Sequence, residues 1–142
     1  MKKLNTYIVE AWSGVKKQSL KVEIENWCEE MGIENYTINS KGEIDVNGYV
    51  DLFNKDFKEL PYKFGVVTGF FDIGECDNLT SLKNCPNEVG NYFSCNYCPK
   101  LESLEGCPKR VEGDFYCSDR KQKFTKEEVQ SLCNVEKTRI YV

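Results

Sequence analysis

Residues 89–108 read VGNYFSCNYCPKLESLEGCP, and the same pattern recurs 22 residues earlier and 22 residues later. A fainter copy at residues 48–52 precedes the matching residues 69–73 by 21 positions. The positions that coincide at the 22-residue spacing are Val67, Val89 and Val111, then Phe71, Phe93 and Phe115, then Ile73, Cys95 and Cys117, and the pairs Cys85-Pro86 and Cys107-Pro108. Because a repeat builds one structural unit several times, this period governs the fold.

Each unit predicts a short strand followed by a loop. The strand alternates apolar and polar positions, and the loop carries a Leu-x-x-Leu pattern and a proline turn. One unit alone cannot bury its apolar face, whereas stacked copies bury a continuous core. The predicted columns are Val50, Phe71, Phe93 and Phe115, and beside them Leu52, Ile73, Cys95 and Cys117. We therefore predict an α+β protein built on a short parallel β-solenoid of about four turns.

Residues 46–120 resemble the leucine-rich-repeat family, whose units run about 20–29 residues. The resemblance rests on Phe71-x-Ile73-x-x-Cys76-x-x-Leu79-Thr80-x-Leu82 and on Phe93-x-Cys95-x-x-Cys98-x-x-Leu101-Glu102-x-Leu104. It implies that Cys76 and Cys98 form the ladder that caps each turn in that family. Arg120 holds the ladder position in the next unit, so we expect the last turn to be frayed or closed by a cap. Residues 103–108 and 113–117 are also similar to short repeat proteins of tailed bacteriophages and some bacteria.

The N-terminal residues 1–45 predict a cap, because the end of a solenoid otherwise exposes its apolar columns. Ser19 begins a helix that Gly32 ends, and residues 36–38 and 44–46 form a hairpin. Residues 1–18 fit a helix or a strand equally well. The apolar face of the predicted helix consists of Leu20, Ile24, Trp27, Cys28 and Met31.

The C-terminal residues 121–142 predict a second cap. Thr125-Lys126-Glu127-Glu128 is a capping box that opens a short helix. Val129, Leu132 and Cys133 lie on one side of this helix, and residues 139–142 follow as a strand. With the repeats at 46–120 between the two caps, we expect 142 residues to form a single domain.

Composition excludes much common enzyme chemistry. The chain has no histidine, which removes serine–histidine and cysteine–histidine nucleophile pairs and mixed zinc sites. Cys95 and Cys98 have the spacing of a zinc or redox pair, and Cys85 and Cys107 would complete a zinc site. The repeat instead assigns Cys95 and Cys98 to two different columns. We predict no catalytic residue, no metal and no cofactor, and the alternative is a cysteine-based metal or thiol-redox protein.

Charge is unevenly distributed about a net value of −4. Residues 23–59 contain ten acidic side chains and three lysines, and we expect such a surface to repel duplex nucleic acid. No apolar run is long enough for a membrane span or a signal-peptide core. We therefore expect a cytoplasmic protein, located in the bacterial host if it is phage-encoded, that binds neither nucleic acid nor membranes. The opposite end carries a basic cluster of Lys109, Arg110, Arg120, Lys121, Lys123 and Lys126.

The candidate site follows from strand alternation. Residues that flank a buried column point to the opposite face of the sheet, and here they are aromatic and acidic, as in many protein interfaces. The predicted partner-binding residues are Tyr49, Asp51, Phe70, Asp72, Tyr92, Ser94, Asp114 and Tyr116. In the alternative interpretation, Phe70 and Tyr92 pack only against each other or lie under the N-terminal segment.

These observations predict a non-catalytic protein–protein recognition module. The similarity to phage proteins implies an inhibitor or adaptor that acts on a bacterial host factor, such as a defence enzyme. The alternative is a structural or assembly accessory protein, which would self-associate through exposed solenoid ends.

Overall fold

The computed structural model describes residues 2–142, with side chains from Gly14 onward. The described chain is an α+β fold with two helices and two five-stranded sheets in which parallel pairing predominates. It divides into two compact units, Met1–Gly32 and Ile33–Val142, which are described separately. The organisation as a single domain stays a prediction.

The first unit is a long helix, α1 (Lys2–Glu30). This helix runs through Ser19, so the predicted helix start at Ser19 is wrong, and residues 2–18 are helical rather than extended. Met1, with which the segment 1–18 begins, lies outside the described residues. The segment continues as a helix because it contains no proline, and its one glycine, Gly14, costs only about 1 kcal/mol in a helix interior.

The end of α1 is where the sequence predicts it. The N–H of Gly32 donates to the carbonyl of Glu29 at 3.1 Å, and Gly32 has a φ of 71°, which glycine adopts without strain. Of the predicted apolar face, Ile24 and Cys28 are buried, whereas Leu20 is exposed. The buried stripe of α1 is therefore narrower than the sequence pattern predicts.

The second unit contains ten short strands and the helix α2 (Lys126–Leu132) within the described residues. The strands are β1 (Tyr36–Ile38), β2 (Ile44–Val46), β3 (Val50–Asp51), β4 (Phe64–Val67), β5 (Phe71–Asp72), β6 (Glu88–Val89), β7 (Phe93–Ser94), β8 (Arg110–Val111), β9 (Phe115–Tyr116) and β10 (Ile140–Tyr141). The hairpin sheet has the order β1-β2-β4-β6-β8, and the aromatic sheet has the order β10-β9-β7-β5-β3. The predicted hairpin is confirmed by the antiparallel pairing of β1 with β2, and the other pairs are parallel.

Each 22-residue unit supplies one strand to each sheet. In the aromatic sheet Phe93 lies in register between Phe71 and Phe115, and the three repeated valines pair in the same way in the hairpin sheet. The predicted alignment of repeated positions is thus confirmed by the strand register. The sequence pattern predicts only one strand for each unit, so the second strand of each unit, β4, β6 or β8, is a finding of the structure.

An apolar core joins the two sheets. The ring of Phe64 on β4 meets Phe71 on β5 edge to face, with centroids 5.1 Å apart. Phe71 and Phe93 stack at 6.1 Å, and Phe93 and Phe115 lie 5.1 Å apart. All four rings are fully buried, and the second predicted column, Leu52, Ile73, Cys95 and Cys117, is buried as well.

The strands of the aromatic sheet end in a repeated tight turn. Glu75 and Tyr97 occupy equivalent positions with φ values of 52° and 55°. The thiol that follows each turn donates to a carbonyl of the preceding unit. Cys76 Sγ lies 3.4 Å from the Leu52 oxygen, and Cys98 Sγ lies 3.3 Å from the Ile73 oxygen. These two cysteines therefore link successive units.

The C-terminal helix has the predicted cap. The hydroxyl of Thr125 accepts the N–H of Glu128 at 3.1 Å. Val129 and Cys133 are buried, but Leu132 is 44% exposed, so its predicted burial is wrong. Residues four apart share one helix face, whereas Leu132 is rotated by about 100° from Cys133 and points away from that face.

The repeat ends in a closed turn at Arg120. The carboxylate of Asp119 accepts the backbone N–H of Lys121 at 3.1 Å, and the Lys123 ammonium donates to the Leu101 carbonyl at 2.6 Å. The predicted C-terminal strand is confirmed, since β10 pairs parallel with β9. The last unit is thus closed by a cap, which is one of the two outcomes that the sequence predicts.

Candidate functional site: an aromatic ladder

Aromatic rings stack across the outer face of the aromatic sheet. Tyr49, Phe70 and Tyr92 each precede a buried residue of the first column, so strand alternation directs them outward. Tyr49 and Phe70 stack with centroids 4.9 Å apart, and Phe70 and Tyr92 stack at 4.7 Å with ring planes 1° apart. The predicted outward residues of three successive turns are therefore in contact.

The stack changes column in the next turn. Asp114 holds the position that Phe70 and Tyr92 hold in their units, and the aromatic residue is two positions later, at Tyr116. Tyr116 meets Tyr92 edge to face at 5.8 Å and stacks on Tyr141 of β10 at 5.0 Å. We call the five rings of Tyr49, Phe70, Tyr92, Tyr116 and Tyr141 the aromatic ladder. It crosses all five strands of the sheet.

The two ends of the aromatic ladder are its most accessible parts. Tyr49 is 61% exposed and Tyr141 is 46% exposed, whereas the three middle rings are half-buried because neighbouring rings cover their faces. Each aromatic pair stabilises the fold by about 0.5–1.5 kcal/mol beyond its buried area. Phe70 and Tyr92 thus pack against each other across the strands, and both residues remain partly exposed.

Two carboxylates lie side by side next to the ladder. Asp51 and Asp72 are in-register partners on β3 and β5. Asp72 accepts the N–H of Gly74 at 2.8 Å, and Asp51 accepts the N–H of Phe53 at 3.1 Å. Burial raises the pKa of Asp72 and the negative charge of Asp51 raises it further, while the Gly74 N–H opposes the shift. Among the side chains from residue 14 onward, no lysine or arginine forms an ion pair with either carboxylate.

The third predicted carboxylate, Asp114, is compensated by its neighbours. The Tyr116 hydroxyl donates to Asp114 Oδ2 at 3.1 Å, and Arg139 Nε lies 3.7 Å from Asp114 Oδ1. Burial and this contact with Asp114 both raise the pKa of Tyr116. Asp114 therefore differs from Asp51 and Asp72, which have no cationic partner within the described part of the chain.

Ser94 is 5% exposed, so it adds no accessible hydroxyl to the surface of the aromatic sheet. Its in-register neighbours, Asp72 and Tyr116, both carry larger side chains. The Ser94 hydroxyl accepts the N–H of Asn96 at 3.4 Å, and hydrogen bonding from Ser94 also lowers the pKa of Asp72. The predicted role of Ser94 as a partner contact is corrected on this point, because a buried side chain cannot reach a partner.

The cysteines lie in the core rather than at an accessible site. All eight are buried and unpaired. Burial raises the pKa of Cys98 to about 12 and that of Cys76 to about 11, and it also raises the pKa of Cys95. Within residues 14–142 no three histidine, cysteine or acidic side chains converge on a point that would hold a metal ion. Thiols with raised pKa values remain protonated near neutral pH and are poor nucleophiles and ligands.

The basic cluster borders a separate depression at the closed end of the repeat. This depression has a volume of about 210 Å³, and its lining includes Tyr97, Pro99, Arg120 and Lys121. None of its lining residues belongs to the aromatic ladder. Tyr97 is 50% exposed and lies outside the ladder, so it provides an accessible tyrosine for comparison with the ladder tyrosines.

Tyr141 is the ladder residue that the sequence interpretation missed. The signal was present, because Ile140-Tyr141-Val142 repeats the apolar-aromatic-apolar order of Phe115-Tyr116-Cys117. The 22-residue period ends before the C-terminal cap, so the repeat does not predict an outward ring at Tyr141. A strand that adds to a sheet continues the side-chain pattern of its neighbour even when it is not part of the repeat.

No helix in the described chain is both long and apolar enough to cross a lipid bilayer. No protein-family model, curated protein or solved structure matches this chain.

Proposed function

We propose that this protein is a non-catalytic recognition module that binds another protein through the aromatic ladder. The observation that carries the proposal is a continuous array of five outward rings with exposed ends. Tyrosine is enriched at the centres of protein interfaces because it combines apolar area with a hydrogen-bonding hydroxyl. Rings that are already stacked lose little freedom on binding, which favours affinity.

The scaffold in this proposal is a short parallel solenoid of about four leucine-rich-repeat-like turns. Two observations support this scaffold. Phe71, Phe93 and Phe115, which are 22 residues apart, pair in register, and the thiols of Cys76 and Cys98 donate hydrogen bonds to carbonyls of the preceding units. In a solenoid each repeat contacts its neighbours, and the open sheet presents one outward residue per turn in a row. Tyr49, Phe70 and Tyr92 form such a row, and Tyr116 and Tyr141 continue the ladder in the neighbouring column.

The similarity to phage-encoded repeat proteins narrows the proposal. On this similarity the proposed role is that of an inhibitor or adaptor that acts in the bacterial cytoplasm on a host factor, such as a defence enzyme. The assembly role is less favoured, because both edge strands of the aromatic sheet, β3 and β10, are two residues long. Very short edge strands offer few free backbone groups for sheet extension between copies.

Affinity capture from a bacterial host lysate tests the proposal. The first variant combines Tyr49→Ser with Tyr141→Ser, which removes the exposed ends of the ladder and the two stacked pairs that they form. The second combines Phe70→Ser with Tyr92→Ser and removes its centre. The control is Tyr97→Ser, which deletes an equally exposed tyrosine outside the ladder.

The expected result is one near-stoichiometric partner that binds the native protein and the control but neither ladder variant. Far-UV circular dichroism establishes that each variant is folded before capture. Equal capture by all four proteins contradicts the proposal. A native protein that forms homo-oligomers in light scattering and captures nothing supports the assembly role instead.

A further inference from the structure

We propose that the partner of the aromatic ladder presents an arginine-bearing segment whose guanidinium group lies against the ladder rings beside Asp51 and Asp72. This inference rests on the proposed function, because it names the chemistry of the partner that the ladder takes. It follows from the charge beside the ladder rather than from the rings alone.

The first argument is a pair of neighbouring carboxylates that forms no ion pair with any side chain from residue 14 onward. Asp51 and Asp72 are in-register neighbours on adjacent parallel strands, which are about 4.8 Å apart. Glu75 adds a further negative charge near Asp72. In the part of the chain with described side chains, no cation forms an ion pair with Asp51 or Asp72. Like charges directly opposite each other on neighbouring strands destabilise a sheet, and a bound cation would remove that repulsion.

The second argument comes from the other end of the ladder, where the chain supplies its own arginine. Arg139 lies 3.7 Å from the carboxylate of Asp114, which also accepts the Tyr116 hydroxyl. At this end of the surface one carboxylate thus contacts both a ladder hydroxyl and a guanidinium. At the Asp51–Asp72 end the rings and the carboxylates lie together, and none of the lysines and arginines from residue 14 onward forms an ion pair with them.

The third argument is the proximity of the carboxylates to the rings. After burial, the charges of Asp72 and Asp51 contribute most to raising the pKa of the Tyr92 hydroxyl. A cation held by these carboxylates therefore also lies near an aromatic surface, where the ring quadrupole attracts it. Guanidinium fits this arrangement better than ammonium, because it is planar, stacks on rings and donates to two carboxylates at once.

A second copy of this chain is a poorer occupant of the surface. In a symmetric dimer the same patch meets itself, so the carboxylates of one copy would face those of the other. Duplex nucleic acid is excluded by the same charges. A cationic segment of another protein is the occupant that complements both the rings and the acids.

Titration with synthetic peptides tests the inference on the full-length protein. The probes are three extended peptides of equal length with Gly-Ser spacers that carry arginine, lysine or citrulline at alternate positions. Citrulline keeps the shape of arginine without its charge. We expect the arginine peptide to bind at least about tenfold more tightly than the citrulline peptide, and the lysine peptide to fall between them. Asp51→Asn with Asp72→Asn should weaken binding of the arginine peptide by about tenfold, and Tyr97→Ser should not.

Equal binding of the arginine and citrulline peptides overturns the inference, and so does unchanged binding by the Asp51→Asn, Asp72→Asn variant. Absence of arginine-peptide binding up to about 1 mM also overturns it. The lysate capture separates this failure from failure of the proposed function. If the Asp51→Asn, Asp72→Asn variant retains the partner while the ladder variants lose it, the result supports binding through the ladder. The same result overturns the inference that the partner presents an arginine to these carboxylates. If the ladder variants retain the partner, the proposed function itself fails.

Discussion

Two single variants, Cys95→Asn and Cys98→Asn, distinguish two interpretations of these cysteines. Either they belong to two different columns of the repeat, or they act together as one metal or redox site. Cys98 Sγ donates to the Ile73 carbonyl, and the backbone N–H of Cys76 lowers the pKa of Cys98 by bonding its sulfur. An asparagine amide carries both a donor and an acceptor, so Cys98→Asn has partners for both groups. Cys95 is buried in the apolar second column, where its thiol has no hydrogen bond among the described residues.

The two variants should therefore differ in stability. Burying an unsatisfied polar group costs about 1–3 kcal/mol, and the larger side chain adds strain of similar size, so Cys95→Asn should lose about 3 kcal/mol of unfolding free energy. Cys98→Asn should lose about 1 kcal/mol, because its amide is paired. A total stability of about 5–15 kcal/mol makes a difference of about 2 kcal/mol easy to resolve.

Urea denaturation followed by circular dichroism measures both values. The slopes of the unfolding free energy against urea should match that of the native protein, so that the midpoints report stability. Cys95→Ala serves as the control for loss of the thiol alone. Equal destabilisation by the two asparagine variants would refute the assignment of Cys95 and Cys98 to two columns and would favour a site that needs both thiols.

Three further predictions follow from the burial and charge of single residues. Asp72→Asn should raise the unfolding free energy at pH 7 by about 0.2–1 kcal/mol. A raised folded-state pKa means that ionised Asp72 destabilises the fold, so this gain should fade as the pH falls through that pKa, and thermal melts at several pH values will show it. None of the eight cysteines should react with dithionitrobenzoate in the native protein at pH 8, whereas all should react in denaturant, and rapid labelling of Cys95 or Cys98 would contradict their burial. Val129→Ala should cost about 2 kcal/mol in urea denaturation, whereas Leu132→Gln should change stability by less than about 0.5 kcal/mol.

The repeated positions were the predictable part of the fold. Phe71, Phe93 and Phe115 pair in register because stacking identical units is the way to bury the same apolar position in each. Alternation does not predict the strands β4, β6 and β8. In β6 and β8 a single repeated valine lies between polar residues or glycine, whereas the positions from Phe71 to Ile73 and from Phe93 to Cys95 alternate between inward and outward side chains. Their pairing is set by the neighbouring units rather than by local sequence.

The N-terminal helix shows a different limit of structure prediction from the sequence. A polar residue at Ser19 favours a helix start only where the preceding segment is not helical, and residues 2–18 contain no proline to prevent helix formation. The candidate site shows a third limit. Alternation predicts which side chains point outward, but not that Ser94 is buried between larger neighbours or that Tyr141 extends the ladder.

Oxidative footprinting of the protein with and without its captured partner tests the central claim most directly. The labelling of Tyr49, Tyr141 and Tyr97 is compared in one sample, since all three are exposed in the free protein. If the aromatic ladder is the binding surface, the partner should protect Tyr49 and Tyr141 and leave Tyr97 unchanged. Protection of Tyr97 with unchanged labelling of Tyr49 and Tyr141 would place the interface elsewhere and contradict the account.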